Sequence, residues 1–261
     1  CRTGRNGRNR GTGGDTSVII SQKHRYVFVQ LPRTGCTAIS KELLECYDGK
    51  QILKKHSNYR AFQRVATADE KKYFVFSGIR NPLDRTVSDF VKYKTNHLGE
   101  YTDPKKLEHM ARGKAFSLRR WYFLRRFHYV DRNKATFEDY FMKFYRWPYD
   151  DWSSLDHHRL AYIIRFENLQ EDFNRVLERL NITPVRPVPV YNPTKAKQGK
   201  SFWDYYSTPE VRRRAQQVFG PFMEKWGYAF PDDWEPLRIR PSTRVRHAMS
   251  NLVRKPFWIS A

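Results

Sequence analysis

Five consecutive residues with chemical potential, Arg33, Thr34, Gly35, Cys36 and Thr37, follow the apolar stretch Val27, Phe28, Val29 and Leu31. An amphipathic segment from Ala38 to Tyr47 comes next. A strand, a short glycine-containing turn and a helix form the arrangement that turns backbone N–H groups toward a phosphate. Arg33 adds a fixed positive charge, and Thr34 and Thr37 add hydroxyl donors. The Walker A pattern, two glycines with four residues between them followed by Lys and Ser or Thr, is absent. The segment Arg33–Ala38 therefore reads as a binding loop for a phosphate-bearing ligand outside the ordinary nucleoside triphosphatases. Taken alone, the same residues also fit a plain turn between a strand and a helix.

A second stretch argues for the ligand. Residues 73–79 read as another buried strand, and Arg80 stands at its carboxyl end. Asn81 suits an N-cap and Pro82 the first helical position. Leu83, Val87, Phe90 and Val91 then recur at helical spacing, with Ser88 two turns along. Two strand ends that carry phosphate donors imply one ligand with two separated phosphates, lying across the carboxyl edge of a parallel sheet.

These residues resemble a known family. PRTGCT is similar to the 5′-phosphosulfate loop of sulfotransferases that use 3′-phosphoadenosine 5′-phosphosulfate (PAPS). IRNPLDRTVSDF is similar to their 3′-phosphate motif, with Arg80 and Ser88 in the matching positions. KHSNYRAF at 55–62 resembles the segment that supplies a candidate base in carbohydrate and bacterial members. IIRFENLQEDF at 163–173 and the run from Asn192 to Tyr228 resemble two later family segments. The resemblance spans residues 24–230 and is closest to the carbohydrate-type group, sulfotransferase family 2. Two departures stand out: Arg33 replaces a common Lys, and FGPFMEKWGY replaces a more acidic segment. Arg keeps the charge but is a planar fork, which alters how it meets a phosphate.

The resemblance implies a PAPS donor, no metal, and cofactor contacts from Arg33, Thr34, Gly35, Cys36, Thr37, Ala38, Arg80 and Ser88. His56, in the family-like KH segment, is expected as general base, although a solvent-facing histidine in a lysine-rich loop reads the same way, and Arg33 as a catalytic cation. Glu42 and Glu45 on the first helix are alternative bases by residue type, although such positions on an ordinary helix are more often solvated. Lys195, Lys197 and Lys200 lie in a basic loop and are expected over the nucleotide, although an exposed lysine loop reads the same way. Arg119, Arg120, Arg125 and Arg126 are candidates for an anionic acceptor, with Trp121, Tyr122 and Phe127 available to stack on sugars. Helical spacing equally allows Phe116, Trp121, Leu124 and Phe127 to face a core. His157 and His158 read as a surface pair, because adjacent helical residues diverge and no third ligand stands near. Glu167 and Asn168 read as structural, ending a strand and capping the next helix.

These residues need elements to position them. Strands are expected at 24–31, 72–79 and 161–166, with helices at 37–47, 59–68, 82–96, 116–130, 136–146, 168–180 and 208–226. Their alternation predicts an α/β fold with a mostly parallel central sheet flanked by helices, like that of P-loop nucleoside triphosphatases. Residues 1–19 are Gly/Arg-rich at their start and are expected to be flexible. Residues 20–234 form the expected catalytic domain, and 235–261 a basic extension that wraps the domain or stays disordered. Cys1, Cys36 and Cys46 make no disulfide framework, and Cys36 reads as a small residue packed beside the loop.

The chain of 261 residues carries a formal charge of +22, most of it between residues 20 and 234. Such a field draws polyanions, so the expected partner is a carbohydrate acceptor, anionic in character, rather than a specific nucleic acid. A non-catalytic polyanion- or nucleic-acid-binding protein is the alternative. It leaves the ordered phosphate motifs unused, since electrostatic binding needs no strand-loop-helix placement. No apolar run is long enough to span a membrane. The sequence leaves the compartment open between the cytoplasm and, if an N-terminal anchor was removed, the Golgi lumen.

Overall fold

A computed structural model describes residues 16–31, 33–54, 57–111, 114–149, 156–189 and 201–259. The chain divides into two units. One is made from the residues up to Arg80, from 151–193 and from Ser250 onward; the other comprises Asn81–Asp150 and Thr194–Met249.

The first unit holds a five-stranded sheet of β1 (Thr16–Ser21), β2 (Tyr26–Val29), β3 (Lys50–Lys54), β4 (Phe74–Ile79) and β5 (Tyr162–Arg165). Their spatial order is β3-β1-β2-β4-β5. β2, β4 and β5 run parallel, in register Tyr26↔Phe74 and Phe76↔Tyr162. β1 is antiparallel to both β2 and β3, so the sheet is mixed. The expected α/β fold with parallel pairs is present, and the antiparallel edge is what the sequence did not announce. β1 begins at Thr16, inside the stretch expected to be flexible.

Side chains alternate across a strand, so the sheet buries two faces. Ile19, Tyr26, Phe28, Phe76 and Ile164 meet Ile39 and Leu43 of α1 (Cys36–Cys46) and Phe173, Val176 and Leu177 of α7 (Leu169–Arg179). The intervening residues Val18, Ile20, Val27, Val29 and Val75 cover Phe62 of α2 (Tyr59–Val65). Aromatic rings climb the first face, with Phe28 and Phe76 centroids 5.1 Å apart. Both faces of the central strands are covered, as a parallel sheet requires.

The second unit contains α3 (Pro82–Lys94), α4 (Pro104–Ala111), α5 (Lys114–Arg132), α6 (Phe137–Phe144) and α8 (Pro209–Trp226). Its core is largely aromatic: Phe90, Phe137, Tyr140, Phe141, Tyr206 and Phe219 are all buried. α3 begins as its sequence predicts, with Pro82 in the first turn and the Leu83 N–H donated to Asn81 Oδ1 at 2.9 Å. Within residues 235–261, expected to wrap or stay irregular, Pro241–Ile259 form a nineteen-residue helix, α9, which continues into the first unit. Among the described residues no helix is long and apolar enough to cross a membrane.

Candidate functional site

The loop between β2 and α1 is built by two residues in left-handed conformation, Arg33 at φ 69° and Gly35 at φ 74°. For Gly35 the choice of residue is forced. A Cβ there would lie 2.4 Å from Leu169 Cδ1 and 3.0 Å from Phe166 Cδ2. Gly35 N-caps α1 with no side-chain cap, and no acidic residue occupies the first turn. The positive end of the helix dipole thus meets no carboxylate from the first turn of α1 itself. The half-buried Arg33 and the exposed Thr37 stand on either side of this turn.

Two expected donors are committed elsewhere. Thr34 is buried and its hydroxyl donates to the Leu31 carbonyl at 3.0 Å. Its hydroxyl therefore locks the loop. The Ala38 N–H is donated to Gly35 O at 3.0 Å and its methyl is buried, so Ala38 serves the helix start. Cys36 is buried in the face beneath the loop, as its reading as a packed small residue anticipates.

The loop rests on β4 because Gly78 has no side chain. A Cβ on Gly78 would meet Thr34 Oγ1 at 2.8 Å and Thr34 O at 3.0 Å. A glycine inside a strand is the sequence signal for such close backbone approach, and it went unread. The Gly78 carbonyl is in turn 2.9 Å from His157 Nε2. His157 is 2% exposed, which corrects its reading as half of a surface pair, whereas His158 is exposed. Asp156, also buried, accepts from Arg60 Nε at 3.2 Å and anchors the short turn that carries His157.

Arg80 lies at the end of β4 with its guanidinium 4.1 Å from the centre of the Phe166 ring. Phe166 thus touches both halves of the expected site within this unit: Arg80 on one side and the Gly35 turn on the other. The corner that carries it is tied by Asp172, which accepts from the Arg165 N–H at 2.7 Å and the Tyr162 hydroxyl at 2.9 Å. Asn168 stands at the N-cap of α7 without a side-chain cap bond, so Asp172 performs the fastening expected of Asn168. Hydrogen bonding to Asp172, after burial, contributes to pushing the Tyr162 phenol up.

Glu42 and Glu45 are held by Arg186. Glu42 is fully buried, with its two oxygens 3.1 and 2.9 Å from Arg186 Nε, and Arg186 also bonds Glu45. The two carboxylates raise the Arg186 pKa. Both carboxylates are engaged by one guanidinium, so their reading as alternative bases is corrected to a structural one. Nothing in the local sequence couples positions this far apart.

In the second unit, Ser88 is buried on α3. Arg126, expected to meet an acceptor, is 7% exposed and donates to the Tyr140 and Tyr145 hydroxyls at 3.0 and 3.3 Å. Burial pushes the Tyr140 phenol well up, so it stays a neutral acceptor. Arg126 is therefore an interior residue, and the acceptor reading is corrected there. Arg125 is exposed, 5.1 Å from the centre of the exposed Trp121 ring, and Arg120 is half-buried. His56, Lys195, Lys197, Lys200 and the side chain of Arg119 lie outside the described residues.

The residues assembled in the first unit can hold an anion at the α1 turn and a second one at Arg80. A family model described as the sulfotransferase family matches residues 16–224. No curated protein and no solved structure matches the chain.

Proposed function

The chain belongs to the sulfotransferase family, and from that premise we propose that it moves a sulfuryl group from PAPS to a hydroxyl of an anionic carbohydrate. The observation that carries the donor reading is the uncapped, acid-free start of α1 at the left-handed Gly35 turn. A helix start of this kind favours a bound anion.

PAPS, when bound, supplies the sulfuryl group and a 5′-phosphate leaving group. Arg33 and the α1 N-terminus stabilise the negative charge that gathers on the leaving phosphate as its bond to sulfur breaks. Thr37 adds a hydroxyl donor at the same turn. Arg80 pairs with the 3′-phosphate, held against the Phe166 ring, and Ser88 is proposed as a second donor to it on sequence grounds. His56 takes the proton of the acceptor hydroxyl as its oxygen bonds to sulfur, so the proton lost and the bond gained balance. Lys195, Lys197 and Lys200 cover the nucleotide. Arg120 and Arg125 attract the acceptor, with Trp121 offering an exposed ring to a sugar face.

The test is incubation with sulfur-labelled PAPS and a panel of anionic glycans, neutral glycans, peptides and phenols. Label is expected on an anionic glycan. Label that reaches none of the acceptors overturns the catalytic reading, and label that prefers a phenol or peptide overturns the carbohydrate one. In the same assay His56→Ala should lower turnover about 100-fold while nucleotide affinity holds.

A further inference from the structure

The carboxyl end of β4 carries both proposed anion contacts of the first unit. Thr34 of the loop rests on Gly78, and Arg80 leaves the strand two residues later. Whatever fixes Gly78 therefore fixes both contacts together.

The sheet itself stops holding β4 at this point. The Phe74 N–H is donated to the Arg25 carbonyl, and the Val75 carbonyl accepts from the Ala161 N–H. Backbone groups of successive residues point to opposite sides of a strand. Even-numbered residues of β4 thus face β2, and odd-numbered ones face β5. The Gly78 carbonyl is directed toward β2. The register of β2 with β4 ends one residue earlier, at Val29↔Ser77, and the chain then runs into the left-handed turn at Arg33.

His157 supplies a donor where the strand pairing has ended. Its Nε2 lies 2.9 Å from the oxygen of the buried Gly78. A carbonyl only accepts, so Nε2 is the nitrogen that carries the proton. The turn that bears His157 lies on the α2 side of the sheet: Leu160 packs against the cluster of Val27, Val75 and Phe62, and Asp156 pairs with Arg60 of α2. Thr34 lies on the opposite side, where a Gly78 Cβ would point. Gly78 is clasped between a buried imidazole on one face and the loop on the other. A buried carbonyl that loses its donor turns to find another partner, and here it would carry the root of Arg80 and the seat of Thr34 with it.

We propose that His157 is a positioning residue for the nucleotide, acting through the Gly78 carbonyl on the loop and on Arg80 together. The proposal rests on the PAPS reading of this site.

Binding of 3′-phosphoadenosine 5′-phosphate to the full chain is measured by calorimetry. His157→Leu keeps a bulky side chain but removes the donor, and affinity should fall about tenfold or more. His157→Gln returns an amide N–H to the place of Nε2 and should recover affinity to within about threefold of the parent. His157→Asn, whose amide is one carbon shorter, should not recover it. Phe141→Leu lowers stability through the core of the other unit and should leave affinity unchanged. If the Leu and Gln variants bind alike, the donor is not what matters and the proposal fails. It fails too if Phe141→Leu loses as much affinity as His157→Leu, since loosened packing then accounts for both. Should His157→Leu not fold, the comparison of His157→Gln with His157→Asn decides in its place. A parent that binds no nucleotide defeats the PAPS reading and this proposal with it. A parent that binds beside an unimpaired His157→Leu defeats the proposal alone.

Discussion

At the scale of single residues, Gly35 and Phe166 shape the turn proposed to hold the nucleotide. Gly35→Ala would force a side chain into left-handed backbone and into Leu169. The backbone alone costs about 1–2 kcal/mol, and relief requires the turn to move. Nucleotide affinity should therefore fall well over tenfold, measured by calorimetry. Arg80→Ala removes a charge-assisted contact worth about 1.5–3 kcal/mol. It should weaken 3′-phosphoadenosine 5′-phosphate about tenfold or more while leaving AMP nearly unchanged. Phe166→Leu should reduce the preference for the 3′-phosphate by about threefold to tenfold, because the ring that steadies Arg80 is gone. Phe166→Tyr, which keeps the ring, should restore it. Equal affinities of the parent for the two nucleotides would refute the 3′-phosphate assignment itself. A preference that survives Phe166→Leu would refute only the role of the ring.

At the scale of elements, the corner between β5 and α7 supports the loop from below. Asp172 is 4% exposed and satisfies both a backbone N–H and a phenol. Asp172→Ala takes the acceptor from two donors at a half-buried corner, and the loss should be about 1–3 kcal/mol in denaturant unfolding. Asp172→Asn retains one acceptor oxygen and should lose less. Because Phe166 and Leu169 sit on this corner, nucleotide affinity should decline along with stability. An Asp172→Ala protein as stable as the parent would show that another group had taken over the bonds. The corner was only partly legible in sequence. The 3.6-residue periodicity of α7 announced the helix, but nothing local told Asp172 from Asn168 as its fastening residue.

At the scale of the whole molecule, the charge of +22 is a statement about encounter. Raising salt to physiological levels shortens the Debye length to about 8 Å, so charges distant from the site stop steering. The kcat/KM of an anionic acceptor should fall steeply with salt, and nucleotide affinity should fall less, since the proposed site meets its phosphates with direct hydrogen bonds. Arg120→Glu with Arg125→Glu should flatten the acceptor's salt slope. A neutral acceptor with salt-independent kinetics would transfer the role of the field to another partner.

What the sequence determined by itself is whatever short-range physics enforces. The run into PRTGCT, the Asn81-Pro82 helix start and the covered central strands are consequences of residue type and spacing within a few positions. Local rules carried them from text to structure with small shifts at the ends. What tertiary structure decided involves residues distant in the chain. β1 became an interior strand, with β3 at the edge, because it found both β2 and β3. Glu42 was withdrawn from acid–base work by Arg186, Arg126 was drawn into a tyrosine cluster, and His157 was buried against the Gly78 carbonyl. Thr243 of α9 was tied to Gln217 of α8. In each case the deciding partner lies on another segment, and burial or charge pairing with that partner outweighs the preference written into the residue's own neighbourhood.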